Sequence, residues 1–199
     1  MIGVAASNAS RSAILVAGVA GLVAGAMSMA TGEYVSVASQ RDAEHADIAR
    51  ERREQMTDHV GSELAELTDI YIDRGVEPTV AGTVATQLMA ADPLGSHLRD
   101  ELGIGESALA RPTQAAVVSA LSFMVGGLLP ILVMLAAPSN LRAVAIAAAA
   151  LLFLGVAGAA GAYAGAAPRL RAALRVTVGG GLAMIATALI GALIGAAGL

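Results

Sequence analysis

Four uninterrupted apolar runs, at residues 12–30, 113–137, 143–166 and 176–198, constrain this chain more than anything else in it. As a helix, each is long enough to cross a hydrocarbon core ~30 Å thick at ~1.5 Å per residue. Length alone would point to one soluble domain or two, but these runs overrule that prior. Composition agrees, with 56% hydrophobic residues against 14% charged and a mean hydropathy of +0.71. The expected fold class is all-α: a polytopic membrane protein with four transmembrane helices and one polar helical block.

The polar block is sharply bounded. Every acid except Glu33 lies between residues 42 and 106. Glu33 follows directly on the first apolar run, before any polar segment has begun. A carboxylate inside a spanning helix costs at least ~2.5 kcal/mol on insertion scales and usually faces a partner, a cavity or an ion path. Met29 precedes Glu33 by four residues, so a thioether and a carboxylate share one helix face. A packing or lipid-facing methionine is the alternative reading of Met29.

Beyond residue 37 the helical pattern is polar on nearly all sides. Glu44, Asp47, Glu51, Glu54 and Asp58 follow one another at intervals of three and four, which draws a carboxylate stripe down one face. The plain reading is a solvated face paired with Arg41, Arg50, Arg52 and Arg53. The functional reading is a cation-binding face, since a helix polar all round needs some reason to persist. Residues 61–74 form a second amphipathic stretch ended by Gly75, with Leu64, Leu67 and Tyr71 on one side. Pro78 opens a third helix carrying Val80, Val84, Leu88 and Ala91, and Asp92-Pro93 closes it. In the short segment that follows, His97 and Glu101 are four apart, a spacing compatible with a shared metal and equally with a surface contact.

Several classes are disfavoured. Cysteine is absent, which removes disulfides, thiolate metal sites and cysteine nucleophiles. A net charge of -4 without a basic cluster argues against nucleic acid. An intramembrane hydrolase needs a nucleophile and a base in the bilayer, and the spans hold Ser and Thr but no His, Asp or Lys; the chain is not expected to be an enzyme. A cleaved signal peptide is disfavoured because the first run exceeds the usual length and passes unbroken into GEYVSVASQ. Gly18, Gly21 and Gly25, then Gly155, Gly158, Gly161 and Gly165, then Gly179 to Gly181, Gly191 and Gly195, mark faces where helices approach closely. The arginines concentrate between residues 41 and 111 and in an expected loop at 169–175, so both segments should be cytoplasmic. Four spans then place both termini outside.

The segment AGLVAGAMSMATGEYVSVASQRDAEHADIARERRE, the later DELGIGE and the apolar ALSFMVGGLLPIL together resemble the vacuolar iron transporter family and its bacterial relatives. That resemblance implies a homodimer with five spanning helices per subunit, a cytoplasmic helical metal-binding domain, and proton-coupled export of Fe2+ or Mn2+. It implies that Met29 and Glu33 belong to the translocation path, and that Glu51, Glu54, Glu63, Glu66 and Glu101 match the glutamates of the cytoplasmic metal site. Where the plant members have two methionines before the last glutamate, this chain has His97, which can ligate, and Leu98, which cannot. Carboxylates with an imidazole suit Mn2+ or Fe2+ and call for no organic cofactor. The family's complete first helix, with an Asn-Asp-Gly type motif, has only its tail here, in residues 1–8. A start placed too far downstream is the expected explanation.

The sequence therefore divides into an N-terminal remnant and first span (1–37), a cytoplasmic metal-binding domain (38–111) and a three-helix membrane region (112–199). The expected function is transport of Fe2+ or Mn2+ for metal homeostasis in a bacterial plasma membrane, with protons compensating charge. The alternative is a membrane-anchored metal-binding or sensing module without transport.

Overall fold

The structure is a computed structural model that describes residues 1–7, 9–57, 61–105 and 109–197. Every regular element among them is an α-helix: α1 (Ile2–Ala6), α2 (Arg11–Thr57), α3 (Ser62–Asp73), α4 (Pro78–Ala91), α5 (Pro93–Asp100), α6 (Pro112–Ala136), α7 (Arg142–Ala164) and α8 (Arg169–Ala196). Four of these, α2, α6, α7 and α8, are long and apolar enough to cross a membrane. Their large side chains point outward, Leu152 being 72% and Leu193 71% exposed. In water that surface would be untenable, and lipid is its natural solvent.

The first run does not end where the polar residues begin. Nothing between residues 12 and 57 breaks a helix, and α2 continues for 47 residues, ~70 Å at ~1.5 Å per residue. That is more than twice the ~30 Å hydrocarbon thickness, so its polar half extends past the core. The expected loop at 169–175 is a correction: α8 starts at Arg169, directly after Pro168 as its N-cap. Arg169, Arg171 and Arg175 are therefore helical, in keeping with the good helix propensity of arginine. Arg169 lies over the Tyr163 ring at 4.4 Å.

The chain forms two compact units, one of residues 1–30 with 117–199 and the other of residues 31–116. In the first, Ile14, Met134 and Ile146 form a buried cluster. The short α1 packs on α8 along a seam of small residues: a Cβ on Gly3 would stand 2.7 Å from the Thr187 carbonyl oxygen, and one on Gly195 only 2.8 Å from Ser7 Cα. Gly158 likewise lets α7 approach α8, 3.1 Å from Ala173 Cα. The glycines of the first span behave differently. Gly25 admits the Phe123 ring rather than a backbone, and Gly21 opens onto an apolar cavity of about 580 Å³ shared with Ser122, Phe123, Gly126 and Met184.

In the second unit, α3 and α4 pack through Leu67, Ala81 and Ala85, all fully buried. Alanine at the contact allows close approach, which leaves Val80 51% exposed instead of in the core. Turn chemistry sets the helix ends. Gly75 takes φ +93 just beyond α3, a conformation that favours glycine. Glu77 caps α4 at Val80 N–H, and Asp92 caps α5 at Gly95 N–H, each followed by proline at the first helical position.

Candidate metal centre

Three side chains from two distant stretches converge in the second unit. Glu51 on α2, His97 on α5 and Glu101 at the end of α5 offer ligand atoms that all lie within 4.8 Å of one another. Glu51 is 2% exposed and His97 fully buried, whereas Glu101 is open to solvent. The four-residue spacing of His97 and Glu101 puts both on one face of α5, as its sequence predicts.

The imidazole is held on both sides. Nδ1 lies 3.2 Å from the Pro93 carbonyl oxygen and 3.8 Å from Glu51 Oε1. Nε2 lies 3.1 Å from the Glu63 carbonyl oxygen and 3.6 Å from Glu63 Oε2. All four neighbours are acceptors, and a neutral imidazole has one N–H to donate. One ring nitrogen is thus left facing acceptors without a hydrogen to give them, and a bound cation would supply the missing positive charge. A metal-bound histidine commonly donates its other N–H to a carbonyl or carboxylate, which is the company this ring keeps.

Electrostatics point the same way. The Glu101 carboxyl is held above the ordinary carboxylate range by desolvation first, then by the charges of Glu66 and Glu51, with Glu54 adding and His97 opposing. Glu54 and Glu66 are exposed residues that act on the centre through this field, and Glu63 reaches it through His97. A divalent cation bound there would relieve the like-charge repulsion on Glu101.

Tertiary partners sort the acidic stripe of α2 into different roles. Glu44 accepts from Ala110 N–H at 3.0 Å and from Gln40, tying the segment that leads into α6. Asp47 and Glu54 flank Arg50 at 3.2 and 4.0 Å. Among the described acids of the stripe, Glu51 alone is buried, with its Oε1 accepting from Gln55 Nε2–H at 2.9 Å. Asp58 of the stripe and Glu106 of DELGIGE lie outside the described residues. Met29 and Glu33 are both exposed on α2, Met29 at 46%.

Sequence reasoning missed a second cluster beside the centre. Asp100 accepts from the Tyr71 hydroxyl at 3.0 Å, Arg74 Nη1 at 3.0 Å and Arg99 Nη2 at 3.1 Å. Burial alone would raise its carboxyl, but these bonds outweigh burial and hold it below the ordinary range. Gln55, four residues after Glu51, was legible as a helical neighbour; Tyr71 and Asp100, 29 apart, carry no local signal.

A profile of the VIT family matches residues 1–192. A protein named vacuolar iron transporter from Acanthamoeba castellanii is 48% identical over 94% of this chain and 71% of its own length. The rice vacuolar iron transporter homolog 1 is 39% identical over 94% of this chain, which spans 62% of that relative. The Arabidopsis vacuolar iron transporter homolog 2.1 is 33% identical over 94% of this chain and 69% of its own length. On the match across nearly all its residues, the chain belongs to the VIT family.

Proposed function

We propose that this chain carries Fe2+ or Mn2+ across a membrane, exporting the ion from the cytosol in exchange for protons. The observation that carries the reading is the convergence of Glu51, His97 and Glu101 on one point in a chain of this family. Oxygen donors with one imidazole suit Mn2+ and Fe2+, and no thiolate is present to select Cu+. Glu54, Glu63 and Glu66 gather cations around that point, and Met29 and Glu33 line the path, where a thioether favours Fe2+ over Mg2+ or Ca2+. On this reading residues 38–111 form a cytoplasmic domain, the membrane is a bacterial plasma membrane, and the working unit is a homodimer. No covalent chemistry and no organic cofactor are involved.

Proteoliposome uptake of Mn2+ under an imposed pH gradient tests this. Glu33→Gln keeps the size of the side chain and is cheaper to bury, so the fold should survive while flux falls strongly at every Mn2+ concentration. Wild-type flux in that variant would remove Glu33 from the path. Metal binding without any flux in the native protein would favour the sensing module instead.

A further inference from the structure

The metal-binding end of α5 is held from outside the helix. With eight residues, α5 is too short to persist on its own, because helix nucleation is costly and only packing or capping repays it. Its first turn is fixed by Asp92. Its last turn carries His97, and Glu101 follows as the C-cap. Between these two candidate ligands stands Asp100, whose side chain is 11% exposed.

Asp100 is gripped by the C-terminal end of α3. The Arg74 guanidinium donates Nη1 to Asp100 Oδ1 at 3.0 Å and Nη2 to the Asp100 carbonyl oxygen at 2.6 Å. One planar fork thus engages both the side chain and a terminal helix carbonyl, which has no partner inside α5. The Tyr71 hydroxyl closes the other carboxylate oxygen at 3.0 Å, and the Arg74 guanidinium lies 5.4 Å from the centroid of the Tyr71 ring. Arg99 also reaches Oδ2, but it is more than half exposed and belongs to α5 itself, so it adds little between helices. The same α3 supplies Glu63, whose carbonyl faces His97.

We infer that Tyr71, Arg74 and Asp100 are positioning residues of the metal centre: they clamp α5 to α3 so that His97 and Glu101 meet Glu51 in a fixed geometry. None of the three is placed to ligate the ion. The clamp acts through backbone placement, since a shift of Asp100 moves the adjoining Glu101. The inference rests on the metal-site reading above, and the experiment separates the two.

The probe is Co2+, whose visible d–d absorption reports ligand number and geometry, together with Mn2+ titration calorimetry, on the full-length protein in detergent. Tyr71→Phe removes one bond and keeps the ring, and Asp100→Asn removes the charge that the Arg74 fork reads. Both should lower Mn2+ affinity about tenfold, the low end for orienting partners of a metal ligand. Both should also change the Co2+ band while helix content by circular dichroism stays at the wild-type value. A role in stability alone would leave the band of the folded protein unchanged. An unaltered band and unaltered affinity in both variants overturn the clamp; if Asp100→Asn does not fold, Tyr71→Phe decides by itself. Absence of any Co2+ band in the native protein, with no Mn2+ binding, overturns the metal-site reading and the clamp with it.

Discussion

Glu51→Gln should leave the metal-free protein about as stable as wild type and remove most of the stability that metal adds. Glu51 is 2% exposed, and its Oε1 accepts from Gln55 Nε2–H, a bond the amide oxygen of glutamine can still accept. The substitution therefore preserves shape while removing a charge that stands beside Glu101 and helps to raise its carboxyl. It also removes a weak attraction to His97 Nδ1 at 3.8 Å. These effects oppose, and without metal the variant should unfold within about 1 kcal/mol of wild type, since exchanging a buried charge for a neutral isostere is often neutral or better. With Mn2+ at 100 times the wild-type Kd, binding stabilises the native protein by about 2.7 kcal/mol. Loss of a direct ligand should weaken binding by ~100-fold, the upper end for orienting partners of a metal ligand, which brings the variant to half-saturation and leaves it about 0.4 kcal/mol of that stabilisation. Denaturant unfolding followed by circular dichroism, with Mn2+ and with chelator, reads the difference directly. Equal metal-induced stabilisation in wild type and variant would refute the assignment of Glu51 as a ligand.

Two further outcomes follow from the geometry. Glu101 has its folded-state pKa raised, so the stability that it contributes when protonated is fully present below the ordinary value of 4.5 and is lost as pH rises through its raised value. Metal-free protein should lose stability over that window, Glu101→Gln should flatten the loss, and Mn2+ affinity should climb across the same window as the carboxylate ionises. The lowered carboxyl of Asp100 gives the opposite slope at lower pH, its contribution fading as pH falls through its folded value. In the membrane region, Gly191→Val should destabilise the detergent-solubilised protein by about 1–3 kcal/mol, because a side chain there meets the Gly3 backbone. Gly179→Val, with nothing within 4 Å, should be close to neutral in the same thermal melt.

Much of the architecture was legible because its signals are local. Apolar run length placed the four spans, and Gly75 and Asp92-Pro93 marked the ends of α3 and α4 where the backbone requires them. The start of α8 was misplaced because arginines near a membrane were read as loop, although nothing between Arg169 and Val176 resists a helix. Periodicity drew the acids Glu44, Asp47, Glu51 and Glu54 down one face of α2 but could not say which of them turns inward. That choice depends on α5 and on Ala110, neither of which is a neighbour in sequence. His97 was legible as a possible ligand by its spacing to Glu101, while its complete burial and its two acceptor-lined nitrogens come from α2 and α3. The Asp100 clamp had no sequence signal, since its partners Tyr71 and Arg74 sit 29 and 26 residues away.

The continuity of α2 limits how the metal centre and Glu33 can cooperate. Glu33 and Glu51 are eighteen positions apart on one unbroken helix, a rise of ~27 Å. An ion cannot be shared across that span, because carboxylate ligands reach a cation at little more than ~2 Å. Nor can the charges sense each other strongly through solvent, where the screening length is ~8 Å at physiological ionic strength. Direct hand-over and electrostatic coupling are both too short in range, so in the proposed transport the metal centre would act by local concentration, holding cations near one end of the helix for release into a path it does not line. The consequence is a division between concentration dependence and maximal rate. Weakening the centre at Glu51 should be overcome by more metal, whereas neutralising Glu33 should not, because no concentration of ion restores a missing ligand along the path.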